Sequence, residues 1–374
     1  MSTKLRNVAV VGFAQMPTVA RDEHRMSTEM LYPVVREALA QVGVTRDDID
    51  YQVSASTDYA DGRPFGFVAA LDVMGSWPPR QDLHLEMDGS FATYYAWVKL
   101  QTGEVDTAIV CGHGKTSEGE PDRVYNLQLE PYYHAAMGLD PTSTSALQAS
   151  AYMARAGVTD ADLAAVAARN RTAGAKNPDA QLREAASAAD LQKTPFKVSP
   201  LREGYLPRIG ESATCLVLAA EGKAEKLCKN PAWIQGAHHI AEMQTLGARD
   251  LTKSASTVLA AKKALAMAGV GSAAEVDVIE LLAQNPAAEM IVLDALGLDP
   301  KNPKPVVNPS GGALCADPIM STGLVRLGEV FRQLSGTAGQ RQVVNAKRAI
   351  AHAAQGHALQ QNIVWVLGTQ RRWS

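Results

Sequence analysis

The sequence predicts an α/β protein built from two related halves of mixed strands and helices, with a long insertion in the first. Three observations carry this expectation. A helix-to-strand segment occurs twice, apolar runs flank both copies in the same order, and a stretch of different texture separates them. The repeated segment reads REALAQVGVTRDDID at 36–50 and KKALAMAGVGSAAEVD at 262–277. Each copy starts on a basic residue and carries Ala-Leu-Ala in an apolar stripe at helical spacing. Each then stops at Gly-Val, which predicts C-caps at Gly43 and Gly269. An acidic turn and an apolar run follow in both, YQVSAS and VIELLAQ, so each helix feeds a strand as half of a βαβ unit.

The flanks extend the pattern. NVAVVGFAQ (7–15) opens the first half as a buried strand and WIQGAHHIA (233–241) opens the second. ESATCLVLAAE (211–221) and QQNIVWVLGTQ (360–370) supply a late strand in each. The halves are expected at 1–228 and 229–374. Between about 117 and 204 the chain turns to Pro121, Tyr125, Pro131, Tyr132, Tyr133 and His134, followed by two Ala-rich helical stretches, TSALQASAYMARAG and DADLAAVAARNRTAGA. A scaffold does not need so long an insertion to close its sheet, so it is expected to lie over a pocket.

Composition narrows the function. The chain has 374 residues, too many for one ordinary core. With 36 Lys+Arg against 39 Asp+Glu, it lacks the basic surplus that nucleic-acid binding wants. Its four cysteines show no paired spacing for zinc or a disulfide framework, so no resident metal is expected and a reducing, cytoplasmic setting is the simplest reading. No apolar stretch approaches the ~18 residues of a membrane span, and the first apolar run is too short for a secretory signal. No Walker or dinucleotide fingerprint follows a strand.

The residues VDVIELLAQNPAAEMIVLDALGL, then VVNPSGGALCADPIMSTGLVRLGEVF and AIAHAAQGHALQQNIVWVLG, resemble the carboxyl half of thiolases. The similarity is to the sterol-carrier-type thiolases and the thiolase-like proteins of bacterial steroid side-chain breakdown. It extends through GEVDTAIVCGHGKTS and GESATCLVLAAEGKAEKL in the first half. Its most specific piece is Asn308-Pro309-Ser310-Gly311-Gly312, followed by Asp317-Pro318 and Gly323. The resemblance implies the thiolase fold: two βαβαβ-type halves in a five-layer αβαβα arrangement, with the insertion as a loop subdomain and a homodimer across an edge strand.

Departures from that family point to a different chemistry. Thiolases keep a nucleophilic cysteine at a helix start, where the helix N-terminus stabilises a thiolate. His84 to Phe91 stand there in this chain, without a cysteine. The family's Gly-His-Pro becomes Ala316-Asp317-Pro318, a further family histidine aligns with Leu282, and the acid/base Cys-x-Gly gives way to HAAQGHALQQ. An acyl-enzyme cannot form at the usual place. A retro-aldol cleavage of a 3-hydroxyacyl-CoA needs no nucleophile, only a base, oriented donors for an enolate and a proton donor. The thiolase-like aldolases that the sequence resembles do this with a small zinc-ribbon/OB-fold acyl-CoA-associated partner.

The candidate residues follow. Asp317 is placed as general base, or as the N-cap of a helix that Pro318 begins. His357 and, less directly, His352 stand in the loop of the lost acid/base cysteine, where an imidazole suits proton exchange; a hydrogen-bonded structural histidine is the alternative. Tyr132, Tyr133 and His134 would line the acyl pocket or donate a proton, or else form a subunit contact. Asp88, Gly89 and Ser90 replace the nucleophile loop and would keep an oxyanion site at a helix N-terminus, with Ser310, Gly311, Gly312 and Gly356 as further substrate contacts. Lys176, Arg202 and Arg208 are candidates for the CoA phosphates. Cys315 reads as a buried, inert thiol. The coenzyme A thioester is expected as substrate, with no resident cofactor. Two rival activities stay open: a thiolase-type acyltransferase with a displaced catalytic set, and a non-catalytic acyl-CoA or lipid-carrier subunit.

Overall fold

The computed structural model describes residues 5–373 except Arg63, with the Ala69 side chain also outside the description. In chain order the first half runs β1 (Val8–Gln15), α1 (Ser27–Gln41), β2 (Tyr51–Ala55), α2 (Gly66–Met74), β3 (Gln81–Leu85), α3 (Gly89–Gln101) and β4 (Thr107–Gly114). The insertion contributes α4 (Pro121–Leu127), α5 (Pro141–Ala156) and α6 (Asp160–Gly174) before β5 (Ser212–Ala220). The second half repeats the order without an insertion: β6 (Ala232–Ala241), α7 (Ala255–Ala268), β7 (Val278–Leu281), α8 (Pro286–Ala295), β8 (Val306–Val307), α9 (Thr322–Ser335), β9 (Arg348–Gln355) and β10 (Gln361–Gly368). The helices ending at Gly43 and Gly269 occupy equivalent places, α1 and α7. Both glycines adopt the left-handed conformation (φ 68° and 67°) that lets a helix end sharply.

The strands form one sheet with a palindromic order, β8-β7-β9-β10-β6-β1-β5-β4-β2-β3. In each half the inner pairs are antiparallel and the outer pairs parallel. The seam is a short antiparallel pairing, Ala9 with Trp233 and Val10 with Ala232. The sheet wraps around α3 and α9, which touch each other at the centre, while α9 packs against strands of both halves. One core cluster fills this central layer, a second lies under α1 and α2, and a third under α7, α8 and the insertion helices α5 and α6. This is the five-layer αβαβα arrangement.

The middle layer makes unusual demands on α9, which has no solvent-facing side over most of its length. Its polar side chains are therefore paired internally. Arg326, fully buried, donates to Glu280 (2.8 Å) and Ser310 Oγ (2.7 Å), and Glu329 accepts from Arg341 (2.9 Å). Asp317 does not cap a helix beginning at Pro318. Asp317-Pro318 pairs as a short strand with Ile209-Gly210, and α9 starts later, at Thr322 after Ser321. The Asp317 carboxylate is thereby freed from capping and turned inward.

Candidate active site

The N-termini of α3 and α9 converge from the two halves, and α4 and α5 of the insertion close over them. The cavity between them, partly open to solvent, has a volume of about 110 Å³. Its polar lining includes Asp88, Asp317, Tyr125, Gln284, Gln355 and His357, and its apolar lining includes Leu282, Ile209 and Ile319. No cysteine lines it among the described residues.

Asp88 caps α3. One carboxylate oxygen accepts the N–H of Ser90 (2.8 Å), and the other accepts the N–H of Gly323 at the start of α9 (2.8 Å). A Cβ on Gly323 would sit 2.2 Å from that carboxylate, which is why glycine stands there. Asp317 takes the other side, bonded by Gln284 Nε2 (2.7 Å) and Thr322 Oγ1 (2.8 Å). Burial pushes both carboxyls above the usual carboxylate range. Asp88 reaches about 7, with the nearby Asp317 charge adding to the effect of burial and the two backbone donors opposing it. The site therefore holds a pair of acids that resist carrying two charges at once.

Asp317, Asp88, Gly356 and His357 come together at this cavity. His357, however, has both ring nitrogens engaged: Nε2–H donates to the backbone carbonyl of Tyr125 (2.8 Å), and Nδ1 lies 3.1 Å from Thr144 Oγ1. Its burial lowers its pKa and favours the neutral ring. His352 is elsewhere. It points from β9 toward the α7 side, bonded to Asn362 (2.8 Å), and burial drops its pKa to about 4.

The oxyanion site expected at Gly89 and Ser90 is filled by the protein itself. Gly89 N–H donates to the Met320 carbonyl (2.8 Å), Ser90 N–H to Asp88, and Ser90 Oγ accepts from Trp365 (3.0 Å). Ser310, Gly311 and Gly312 also lie outside the cavity. They form a buried turn in which Ser310 binds Glu280 and Arg326, and Gly311 packs against Gly174. Free donors appear instead in the β9–β10 turn, where the N–H groups of Gly356 and His357 find no acceptor among the described residues.

Tyr133 and His134 do not line the cavity, and Tyr132 and Tyr133 are 83% and 76% exposed. The aromatic side chain that enters is Tyr125, one helix earlier. Of the basic candidates, Arg202 is tied to Asp160 (3.2 Å) and Lys176 lines a different groove, whereas exposed Arg208 adjoins Ile209 of the lining. Cys315 is buried beside α6 with its thiol raised to about 11, as befits an inert group. Asp58, His84 and Glu86 bring potential ligand atoms within 4.8 Å of one another near the edge strand β3, outside the cavity. The Asp58 and Glu86 carboxylates there already accept backbone N–H groups of the adjoining loop.

The sequence reading missed Tyr125, Gln284, Gln355 and Thr144. Only Gln284 had a local signal, as a polar residue between the strand VIEL and the helix cap Asn285.

The fold and this converging site define a thiolase-like protein, and comparison with known proteins agrees. Residues 302–369 match the thiolase C-terminal domain-like family. An acetyl-CoA acetyltransferase of Methanothermobacter thermautotrophicus is 25% identical over 71% of this chain and 73% of its own. The benzoylsuccinyl-CoA thiolase subunit BbsB of Thauera aromatica is 26% identical over 88% and 91%. Rat sterol carrier protein 2 is 38% identical over 25% of this chain and 20% of its own. Among solved structures, the Ltp2-ChsH2(DUF35) aldolase superposes with a TM-score of 0.83 at 19% identity, covering 97% of both chains. A monomeric SCP2-thiolase-like protein of Mycobacterium smegmatis gives 0.77 at 19% identity, covering 98% of this chain and 78% of its own. The chain thus has the thiolase fold and is similar to proteins of the thiolase superfamily, and over about a quarter of its length to sterol carrier protein 2. No helix among the described residues is long and apolar enough to cross a membrane.

Proposed function

We propose that the chain is an acyl-CoA carbon–carbon lyase of the retro-aldol type, acting on a 3-hydroxyacyl-CoA whose acyl group is a steroid or similarly bulky side chain. The observation that carries this reading is the cavity itself, which holds two buried acids and no cysteine. In its ionised form Asp317 or Asp88 takes the proton of the 3-hydroxyl as the Cα–Cβ bond opens. The electrons pass to the thioester as an enolate, and the N–H groups of Gly356 and His357 are the donors available to its oxygen. A volume near 110 Å³ is below the ~150 Å³ of a cavity that takes benzene, so it suits the reacting carbons alone. The remainder of a bulky acyl group would lie outward, along the insertion. The Ltp2-ChsH2(DUF35) aldolase, which shares the fold, supports a small partner subunit here; a homodimer across an edge strand and a cytoplasmic location belong to the same proposal.

The relatives that span most of the chain, named as an acetyltransferase and a thiolase subunit, favour an acyltransferase as the second reading. One experiment separates the two. Purified chain is incubated with a 3-hydroxyacyl-CoA, or with a 3-oxoacyl-CoA plus CoA, and products and intact protein mass are recorded. Release of an aldehyde or ketone with a shortened acyl-CoA, and no protein adduct, is the expected result. Thiolysis of the 3-oxoacyl-CoA with an acyl adduct on a cysteine would overturn it.

A further inference from the structure

Most polar groups around the cavity are committed to other protein groups. Asp88 receives two backbone N–H groups, Asp317 is held by Gln284 and Thr322, Gln355 Oε1 accepts from Asp88 N–H (2.9 Å), and both nitrogens of His357 are engaged. The Tyr125 hydroxyl is not: Tyr125 lines the cavity with the two carboxylates, and its hydroxyl makes no hydrogen bond to any described residue. The rest of Tyr125 is held firmly. Its carbonyl accepts from His357 Nε2–H at 2.8 Å, and its ring meets the His357 ring edge-on, 6.1 Å between centroids at 87°. His357 is itself braced by Thr144 of α5.

We infer that Tyr125 is the catalytic proton donor of this cavity, delivering its hydroxyl proton to the α-carbon of the departing thioester enolate, and that His357 is the positioning residue that aims it. The inference rests on the lyase reading for its substrate. The step balances without any outside reagent. The base carboxylate gains the 3-hydroxyl proton and the Cα–Cβ bond breaks to give a carbonyl product and an enolate. The enolate carbon then forms a C–H bond with the phenol proton, and the protonated carboxyl returns its proton to the phenolate. Burial and the charges of Asp317 and Asp88 hold the phenol above its ordinary pKa, so it stays protonated until a base as strong as an enolate carbon is present. The same placement explains why His357 stands where a proton-transfer group is expected while having no free nitrogen.

The test uses the full chain as wild type, Tyr125→Phe, His357→Ala and His357→Gln. Two readouts are taken: cleavage of 3-hydroxyacyl-CoA, and uptake of deuterium from D₂O at the α-carbon of acetyl-CoA or propionyl-CoA, followed by mass. Because the hydroxyl has no partner, Tyr125→Phe should melt like wild type. Both rates should fall by about 10²–10⁴ with KM little changed. His357→Ala should lose part of both rates, with partial rescue by glutamine, which can still donate to the Tyr125 carbonyl. A Tyr125→Phe variant that keeps both rates within about threefold of wild type overturns the inference and leaves the lyase reading standing. Wild-type exchange without cleavage of any 3-hydroxyacyl-CoA, with exchange lost in Tyr125→Phe, removes the lyase reading and leaves Tyr125 as the donor. Wild-type protein that neither cleaves nor exchanges overturns both.

Discussion

At the scale of single residues, the feature that marks the cavity is a pair of buried carboxyls at the places where thiolases, which the sequence resembles, keep a nucleophile and a histidine. Asp88 shows why position alone was a poor guide to role. At the start of α3 it uses its charge to satisfy N–H groups of two helices, so it occupies the place in which an oxyanion was expected to bind. Its raised pKa also has a consequence for stability. A carboxyl held at about 7 in the folded protein against 3.8 in a model compound binds its proton more tightly when folded. Its contribution is therefore full below pH 3.8 and declines as pH rises to about 7, by a few kcal/mol at about 1.4 kcal/mol per pH unit. Asp317, also raised, acts in the same direction. Urea unfolding across pH 4–8 should show this decline in the wild type and a flatter profile in Asp88→Asn; an unchanged profile would mean the burial of Asp88 does not perturb it. Activity should run the other way. kcat/KM should rise with pH through the region near 7, with an apparent pKa that belongs to the pair rather than to one residue.

At the scale of elements, α9 links the site to the scaffold. Its N-terminus supplies Gly323 N–H to Asp88 and Thr322 to Asp317, while one turn on, Arg326 anchors the buried turn containing Ser310 and the strand residue Glu280. The Asn-Pro-Ser-Gly-Gly segment was the most specific part of the sequence resemblance, yet in the structure it braces this helix and lies outside the cavity. Arg326→Met would leave Glu280 buried without its partner, a change that typically costs about 3–5 kcal/mol. Denaturant midpoints read this directly, and a loss below about 1 kcal/mol would mean Glu280 takes up a proton and the pair is dispensable. The same helix explains why the expected cap at Asp317 failed. Pro318 is compatible with a first helical turn, but pairing with Ile209-Gly210 holds it extended, and a turn at 319–321 follows before the helix opens at Thr322.

At the scale of the whole molecule, the two halves are joined less by their strands than by what lies between them. The β1–β6 seam is short, whereas the central core draws on Phe91 and Trp97 of the first half and Leu324, Leu327 and Trp365 of the second. Neither half can bury that surface alone. Thermal unfolding should therefore be one transition with matching calorimetric and van't Hoff enthalpies. A fragment of residues 229–374 expressed alone should bind a hydrophobic dye and lack sharp side-chain NMR dispersion. A well-folded fragment, or two separate transitions, would contradict this coupling. The cavity belongs to this scale too, since its lining comes from α3, α9, the β9–β10 turn and the insertion together.

What the amino-acid order determined was everything that depends on local periodicity. The paired helices ending at Gly43 and Gly269, the strands that open and close each half, and the helical insertion are written in spacing and capping, which act between near neighbours. That no cysteine stands at the start of α3 was equally legible, because it is the identity of residues at one helix start. Which polar groups face the cavity was decided only by the tertiary structure. Tyr133 and Tyr125 share an insertion and similar surroundings in sequence, but packing of α4 against His357 turns Tyr125 inward and leaves Tyr133 in solvent. Likewise His352 and His357 look alike in the same stretch. The alternation of β9 sends His352 toward α7, and the turn after Gly356 carries His357 to the cavity. Side-chain direction in these places depends on contacts more than 100 residues apart, such as Asp88 with Gly323 or Tyr125 with His357, and no local pattern records them.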